Sequence, residues 1–271
     1  MATRRRRREA EGSLAVILLS SLVILLVIAG LVWAAIYYWQ NSQKGKLDAD
    51  LCPLRGPAAA TVFLFDFTDP VSSITQADLK NEFQKAVLRT KAGELVEAYV
   101  LTGEEGKLRP TFRGCNPGDG ADVSIWTANP AMLKKRWEDS FEKPLDEAMK
   151  DIGTDGGAER SPIMAGIQRI VVESLSKPGM NVPKNLVIAS DMIEHTDSFS
   201  HYRDGVDYGK FEQSAARDRF RTDLEGVEVR LLAFGRGNSK LDGRDLGEFW
   251  ARWVEANGGE FDRMVRLSGA N

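Results

Sequence analysis

Residues 61–67 read TVFLFDF, and this run decides the fold. Val62, Phe63, Leu64 and Phe65 are apolar at every position, with a single acid, Asp66, near the end. A strand that faces water on one side alternates; a continuous apolar run suits a strand buried on both faces, as in a parallel sheet covered by helices. The segment TDPVSS, residues 68–73, then supplies turn chemistry. TQADLKNEFQKAVLRT, residues 75–90, predicts a helix with Leu79, Phe83, Val87 and Leu88 on one side. Thr75 with Asp78 resembles a capping box in which Asp replaces the usual Glu.

The same unit recurs toward the C-terminus. Strands are expected at 95–101 and 108–113, followed by the turn CNPGDG at 115–120. Residues 130–151 look helical, with Pro144 breaking or restarting the helix. After the loop TDGGAER, residues 154–160, Ser161-Pro162 opens a helix to about residue 174: Ser is favoured at the N-cap and Pro at N1. NLVIASD, residues 185–191, is another strand ending in an acid. A helix at 209–224, a strand at 227–234, a helix at 242–257 stopped by Gly258-Gly259, and an edge strand at 260–267 complete the pattern. Alternating strands and helices imply an α/β, Rossmann-like, mostly parallel sheet flanked by helices. Ligands bind such sheets at the carboxyl ends of the strands, where Asp66 and Asp191 fall.

Toward the N-terminus, residues 14–39 carry no charge and follow Arg4 to Arg8. At about 1.5 Å per residue the run spans the roughly 30 Å hydrocarbon core with some tilt. Positive charge stays inside, so residues 41–271 are expected outside. Trp33, Tyr37, Tyr38 and Trp39 cluster at the outer end, where amphipathic rings favour the interface. The run exceeds a signal-peptide core of about 7–15 residues, and bulky rings fill the place of a cleavage site, so an uncleaved anchor is the reading. Gly30 and Ala34 have a small-xxx-small spacing but also fit ordinary membrane-helix composition. The expected organisation is a cytoplasmic basic arm (1–13), a transmembrane helix (14–39), a stalk (40–59) and an exported domain (60–271).

With five arginines and two glutamates in the first 40 residues, the remainder holds 31 basic and 37 acidic residues. That mildly acidic balance, without a basic stripe, argues against a nucleic-acid partner. Cys52 and Cys115 are the two cysteines, both on the expected exported side, where an oxidising compartment permits a bridge. The alternative is two free thiols. Two histidines in the chain, neither near a cysteine in sequence, make a zinc site improbable.

Asp66-Phe67-Thr68-Asp69-Pro70-Val71-Ser72-Ser73, with Ser161 opening a later helix and Asp191 ending a later strand, resembles the von Willebrand factor A-type domain family. The resemblance covers roughly residues 60–267. It implies a Rossmann-like sheet and an adhesion-type Mg²⁺ site built on Asp-x-Ser-x-Ser, a second-loop Thr and a later Asp. Asp66 and Thr68 match the first two positions; Pro70 stands at the third, and Ser72 is a substitute two residues on. Ser161 is similar to the second-loop Thr, and Asp191 to the final Asp. Mg²⁺ takes oxygen ligands and keeps waters, so these five side chains would leave a position for an acidic group on a protein partner.

Other readings stand beside this one. Asp66 and Asp69 beside Pro70 could cap a turn, Ser161 could be an N-cap, and Asp191 a turn acid. A metal-dependent phosphatase using Asp66 is the enzymatic alternative, but a haloacid-dehalogenase-like enzyme wants an acid where Thr68 stands. His195 and His201 read as residues of a polar loop rather than a general-base pair. Glu194 reads as a solvated loop acid, and Trp250 with Trp253 as core at helical spacing. Gly-x-Ser-x-Gly, His-Glu-x-x-His and the phosphate-loop lysine are absent. The expectation is a non-enzymatic, membrane-anchored binding or scaffold protein of an inner membrane, with its domain on the periplasmic side. A purely structural envelope component is the remaining alternative.

Overall fold

A computed structural model of the chain describes residues 19–38, 47–121, 129–150, 157–235 and 241–267. The chain divides into two units, Met1–Lys46 and Leu47–Asn271. In the first, helix α1 (Leu19–Tyr38) is long and apolar enough to cross a membrane, and its apolar side chains are exposed. Residues 14–18 and 39 of the expected span lie outside the described residues.

The second unit is built on six strands: β1 (Ala60–Phe65), β2 (Leu95–Leu101), β3 (Leu108–Cys115), β4 (Lys184–Ser190), β5 (Val227–Ala233) and β6 (Glu260–Arg266). Their order is β3-β2-β1-β4-β5-β6. All pairs are parallel except β2 with β3, which form an antiparallel ladder at one edge. The central run reads as the sequence implies: every residue of β1 is buried. Val62 and Leu64 join one apolar cluster, Phe63 and Phe65 the other, so the sheet has a core on each face.

On the second face lies α2 (Ser73–Leu88), which buries Leu79, Phe83 and Val87; the Phe83 ring meets Phe63 edge-on at 4.7 Å. Its cap is Ser72, whose hydroxyl accepts the Thr75 N–H at 3.1 Å. The expected capping box at Thr75 is therefore displaced by one turn. Burial of the Thr75 side chain explains it, since a buried hydroxyl sits inside the helix and pairs with Ser72 Oγ at 2.8 Å. Beyond it, α3 (Pro130–Trp137), a π-turn (Glu138–Glu142) and α4 (Lys143–Lys150) run on as one helical segment. Pro144 does not break it. The wider turn before the proline accommodates a ring that would clash with the carbonyl four residues back.

The first face carries α5 (Ile163–Ile170) with a π-turn (Val171–Leu175), and α9 (Gly243–Ala256). Gly166 lets α5 approach the sheet: a Cβ there would stand 2.6 Å from Leu101 Cδ1. After a short turn, α6 (His201–Asp204), the helix expected at 209–224 is instead two short helices, α7 (Tyr208–Glu212) and α8 (Ala215–Arg219). Gly205, at φ 82°, ends α6, and Phe211, Ala216 and Phe220 anchor the segment at spacings that no single helical stripe offers. Asp242 caps α9, which buries Leu246, Phe249, Trp250, Trp253 and Val254. Both tryptophans are core, as their spacing implies.

At the N-terminal pole of the sheet, Cys52 and Cys115 form a disulfide. Asp50 reinforces it: its carbonyl accepts the Cys115 N–H at 2.7 Å, and its carboxylate pairs with Arg113, which also pairs with the buried Glu97. Residues 47–59, expected as stalk, belong to this second unit.

Candidate functional site

From β1 the chain passes to β2 on one side and later returns to β4 on the other, so the strand order reverses between β1 and β4. In sheets of this kind the point where strand order reverses, at the carboxyl ends of these two strands, is where ligands bind. Asp66 follows β1 and Asp191 follows β4.

Asp66 is the hub. Its Oδ1 accepts from the Thr68 N–H at 3.1 Å and the Thr68 hydroxyl at 2.7 Å. Its Oδ2 accepts from the Ser161 hydroxyl at 2.7 Å and the Ser190 hydroxyl at 2.8 Å. Ser161 is therefore not the cap of α5: Pro162 occupies that position without a side-chain bond, and the Ser161 hydroxyl reaches across 95 residues of sequence to Asp66. Backbone bonds hold Ser161 to His195 in both directions, at 3.0 and 2.9 Å. Thr68 is fixed by its carbonyl, which accepts from Gly157 and Ala158. Ser72 does not converge on this cluster; its hydroxyl is spent on the α2 cap.

Asp191 Oδ1 accepts the Ile193 N–H at 2.9 Å. The Ser190 hydroxyl touches both acids, at 2.8 Å from Asp66 Oδ2 and 3.4 Å from Asp191 Oδ1, so those oxygens are no more than about 6 Å apart, a span one hydrated cation bridges. Burial, and then the Asp66 charge, push the Asp191 carboxyl up to about 7. The half-exposed Tyr202 feels the same acid: burial and then the Asp191 charge raise its phenol. Met192, between the acid and Ile193, has φ 63°, a left-handed conformation costly for a non-glycine residue. It is held by Trp250, whose indole N–H donates to the Met192 carbonyl at 2.7 Å.

Two expectations about this loop are corrected. Glu194 is not a solvated acid: it is fully buried, one oxygen accepts the Met164 N–H at the start of α5 at 2.9 Å, and burial holds its carboxyl well above the usual range. Nor is His201 a polar-loop residue. Its Nδ1 accepts the Glu194 N–H at 2.9 Å, its ring meets Phe249 edge-on at 4.6 Å, and burial lowers it to about 3. Both exceptions arise because the 191–205 segment folds back, setting His201 against the α9 aromatics and Glu194 against the start of α5, which no local pattern specifies. His195, half-buried, bonds Ser200 Oγ through Nδ1 at 2.9 Å.

The sequence reading missed Ser190. Its signal was present: in β4, Leu186, Ile188 and Ser190 share a face, and a hydroxyl ending an apolar stripe beside the strand-end acid is a candidate ligand to that site. The donor set of Asp66, Asp191, Thr68, Ser161 and Ser190 is all oxygen, which fits a hard cation such as Mg²⁺. Among the described residues, no group of three or more His, Cys, Asp or Glu side chains is placed to hold a metal ion, so any cation here would rest on the two acids and the hydroxyls.

The strand order and the antiparallel edge strand define a Rossmann-type fold, the fold that the resemblance to von Willebrand factor A-type domains implies. No model of a known protein family matches the chain, and no curated protein matches it. Among solved structures, it is similar to the conserved hypothetical protein BatB from Bacteroides thetaiotaomicron, at 12% identity over 78% of this chain and 91% of that one, with a TM-score of 0.42. It is also similar to an aerotolerance-related membrane protein from Bacteroides fragilis, at 14% identity, 79% and 93% coverage, TM-score 0.37. A third similarity is to the SpRpn10 VWA domain, at 10% identity, 78% and 90% coverage, TM-score 0.42.

Proposed function

We propose that this chain is a membrane-anchored scaffold whose von Willebrand factor A-like domain binds a protein partner at the carboxyl ends of β1 and β4. The observation that carries the reading is the convergence of two acids and three hydroxyls, from three separate segments, on the reversal point of the sheet. The basic arm before α1 supports an anchor with the domain on the periplasmic side.

The same bonds support a non-enzymatic role. Each Asp66 oxygen already accepts two hydrogen bonds, and the carboxylate is buried, so it is poorly placed as a nucleophile for phosphoryl transfer. Mg²⁺ would be held by Asp66 and Asp191 with the Thr68, Ser161 and Ser190 hydroxyls, supplying positive charge for an acidic group of the partner. The protein itself keeps these groups converged through Trp250, Glu194 and the Ser161–His195 bridge.

Photo-crosslinking in native membranes tests the reading. A crosslinker at Tyr202, beside Asp191, should give a discrete adduct that Asp66→Asn abolishes. One at the exposed Val172, far down the α5 segment, should not. Equal adducts at both positions, or none at Tyr202, would refute the proposed face. Calorimetric titration of the full chain in maltoside micelles with Mg²⁺ should show saturable binding that Asp66→Asn removes; metal-dependent phosphate release would instead favour the hydrolase.

A further inference from the structure

At the opposite pole, the N-terminal ends of β1, β4 and β5 border a cavity of about 360 Å³. That is within the lower part of the roughly 300–1,000 Å³ range of ligand pockets. Its floor is an ordered polar chain. The Asn185 amide donates to Thr61 Oγ1 at 3.2 Å, the Thr61 hydroxyl donates to Glu94 Oε1 at 2.7 Å, and the Lys91 N–H donates to Glu94 Oε2 at 3.0 Å. Glu94 is buried, so this floor is fixed.

The walls carry three cations, and they differ. Arg230 is committed, pairing with Asp262 at 2.6 Å and Glu228 at 3.8 Å. The Arg89 and Lys91 side chains line the same cavity, and among the described residues neither has a carboxylate within ion-pair distance. Both side chains are exposed, and Arg89, the C-cap of α2, also complements the negative end of that helix. The Asn185 amide has bonding capacity left after its single contact to Thr61.

We propose that this cavity is a second ligand site and that it takes a small phosphate ester. A guanidinium fork and an ammonium stand two residues apart just after α2, and an amide lines the cavity from β4. That number of donors matches the several oxygens of a phosphate, whereas the arginine fork alone would satisfy a carboxylate. Glu94 at the floor repels the phosphate and accepts hydrogens. The ester therefore sits with its phosphate at Arg89, Lys91 and the Asn185 amide, and its hydroxyl or amino end toward Glu94. A free phosphate ester and a phospholipid headgroup share this chemistry.

The test is calorimetric titration of the full chain in maltoside micelles with sn-glycerol 3-phosphate. Saturable binding, weakened at least tenfold by Arg89→Ala with Lys91→Ala, is expected, with an unchanged near-ultraviolet circular dichroism spectrum. Asn185→Asp, which adds a negative charge to the floor, should weaken it as well. Repeating the titration in phosphatidylglycerol nanodiscs separates the sources: retained binding identifies a soluble ester, and loss there alone identifies the lipid headgroup. Absence of saturable binding in micelles, or binding indifferent to the double substitution, would overturn the proposal.

Discussion

Replacing Asp191 by Asn should stabilise the domain at alkaline pH and leave it nearly unchanged in acid. The native fold holds the Asp191 proton up to about pH 7, against an ordinary value of 3.8, because the carboxyl is buried beside Asp66. A group whose folded value is raised binds its proton more tightly when folded. Its contribution is complete below pH 3.8 and is lost as the pH climbs to 7. At 1.36 kcal/mol per unit, the loss is about 4 kcal/mol. Asn cannot ionise, yet its carbonyl can still accept the Ile193 N–H. Urea unfolding of the full chain in maltoside micelles, followed through the buried Trp137, Trp250 and Trp253, should show matched midpoints at pH 4. At pH 8 the variant should exceed the wild type by up to about 4 kcal/mol. His201 acts with the opposite sign: buried neutral, with a value lowered to about 3, it costs stability as the pH falls from 6.5. It does so in both proteins, so the difference between them isolates Asp191. A gap that does not change with pH, or a variant less stable at pH 8, would refute the reasoning. Millimolar Mg²⁺ should narrow the gap at pH 8 if the cation replaces the proton.

Three further outcomes are expected. Glu194→Gln should be tolerated at neutral pH, because a neutral side-chain oxygen still accepts the Met164 N–H, whereas Glu194→Ala should cost about 3 kcal/mol by leaving that donor buried beside a cavity; urea midpoints of the two variants decide it. Trp250→Phe keeps most of the packing but strips the donor from the Met192 carbonyl. It should cost about 1–2 kcal/mol and speed hydrogen exchange at the Ile193 amide, and unchanged exchange would show that the loop does not depend on this bond. Cys52→Ser opens a cross-link spanning 63 residues and should lower stability by about 4 kcal/mol in the chain-entropy description; an unaltered thermal midpoint would place that constraint elsewhere.

The sequence by itself determined the sheet. Continuous apolar runs bounded by turns specify strands buried on both faces, and the strand at 95–101 lies where that pattern puts it. It also placed Asp66 and Asp191 at strand carboxyl ends, because a strand's last residue and its direction are local properties. Trp250 and Trp253 were legible as core, since a helical stripe repeats within one turn. Tertiary structure decided the rest. Ser161 looks like a cap from its neighbours, yet its hydroxyl bonds Asp66; only the adjacency of β1 and β4 brings those loops together. Ser72 looks like a ligand from its spacing, yet the start of α2 claims its hydroxyl. Glu194 and His201 sit in a polar stretch that reads as solvated, yet both are buried: His201 meets the α9 ring of Phe249, about 50 residues onward, and Glu194 accepts from the start of α5. A hydrogen bond between distant segments depends on which strands pair and how short turns fold back, and neither is written in the spacing of nearby residues.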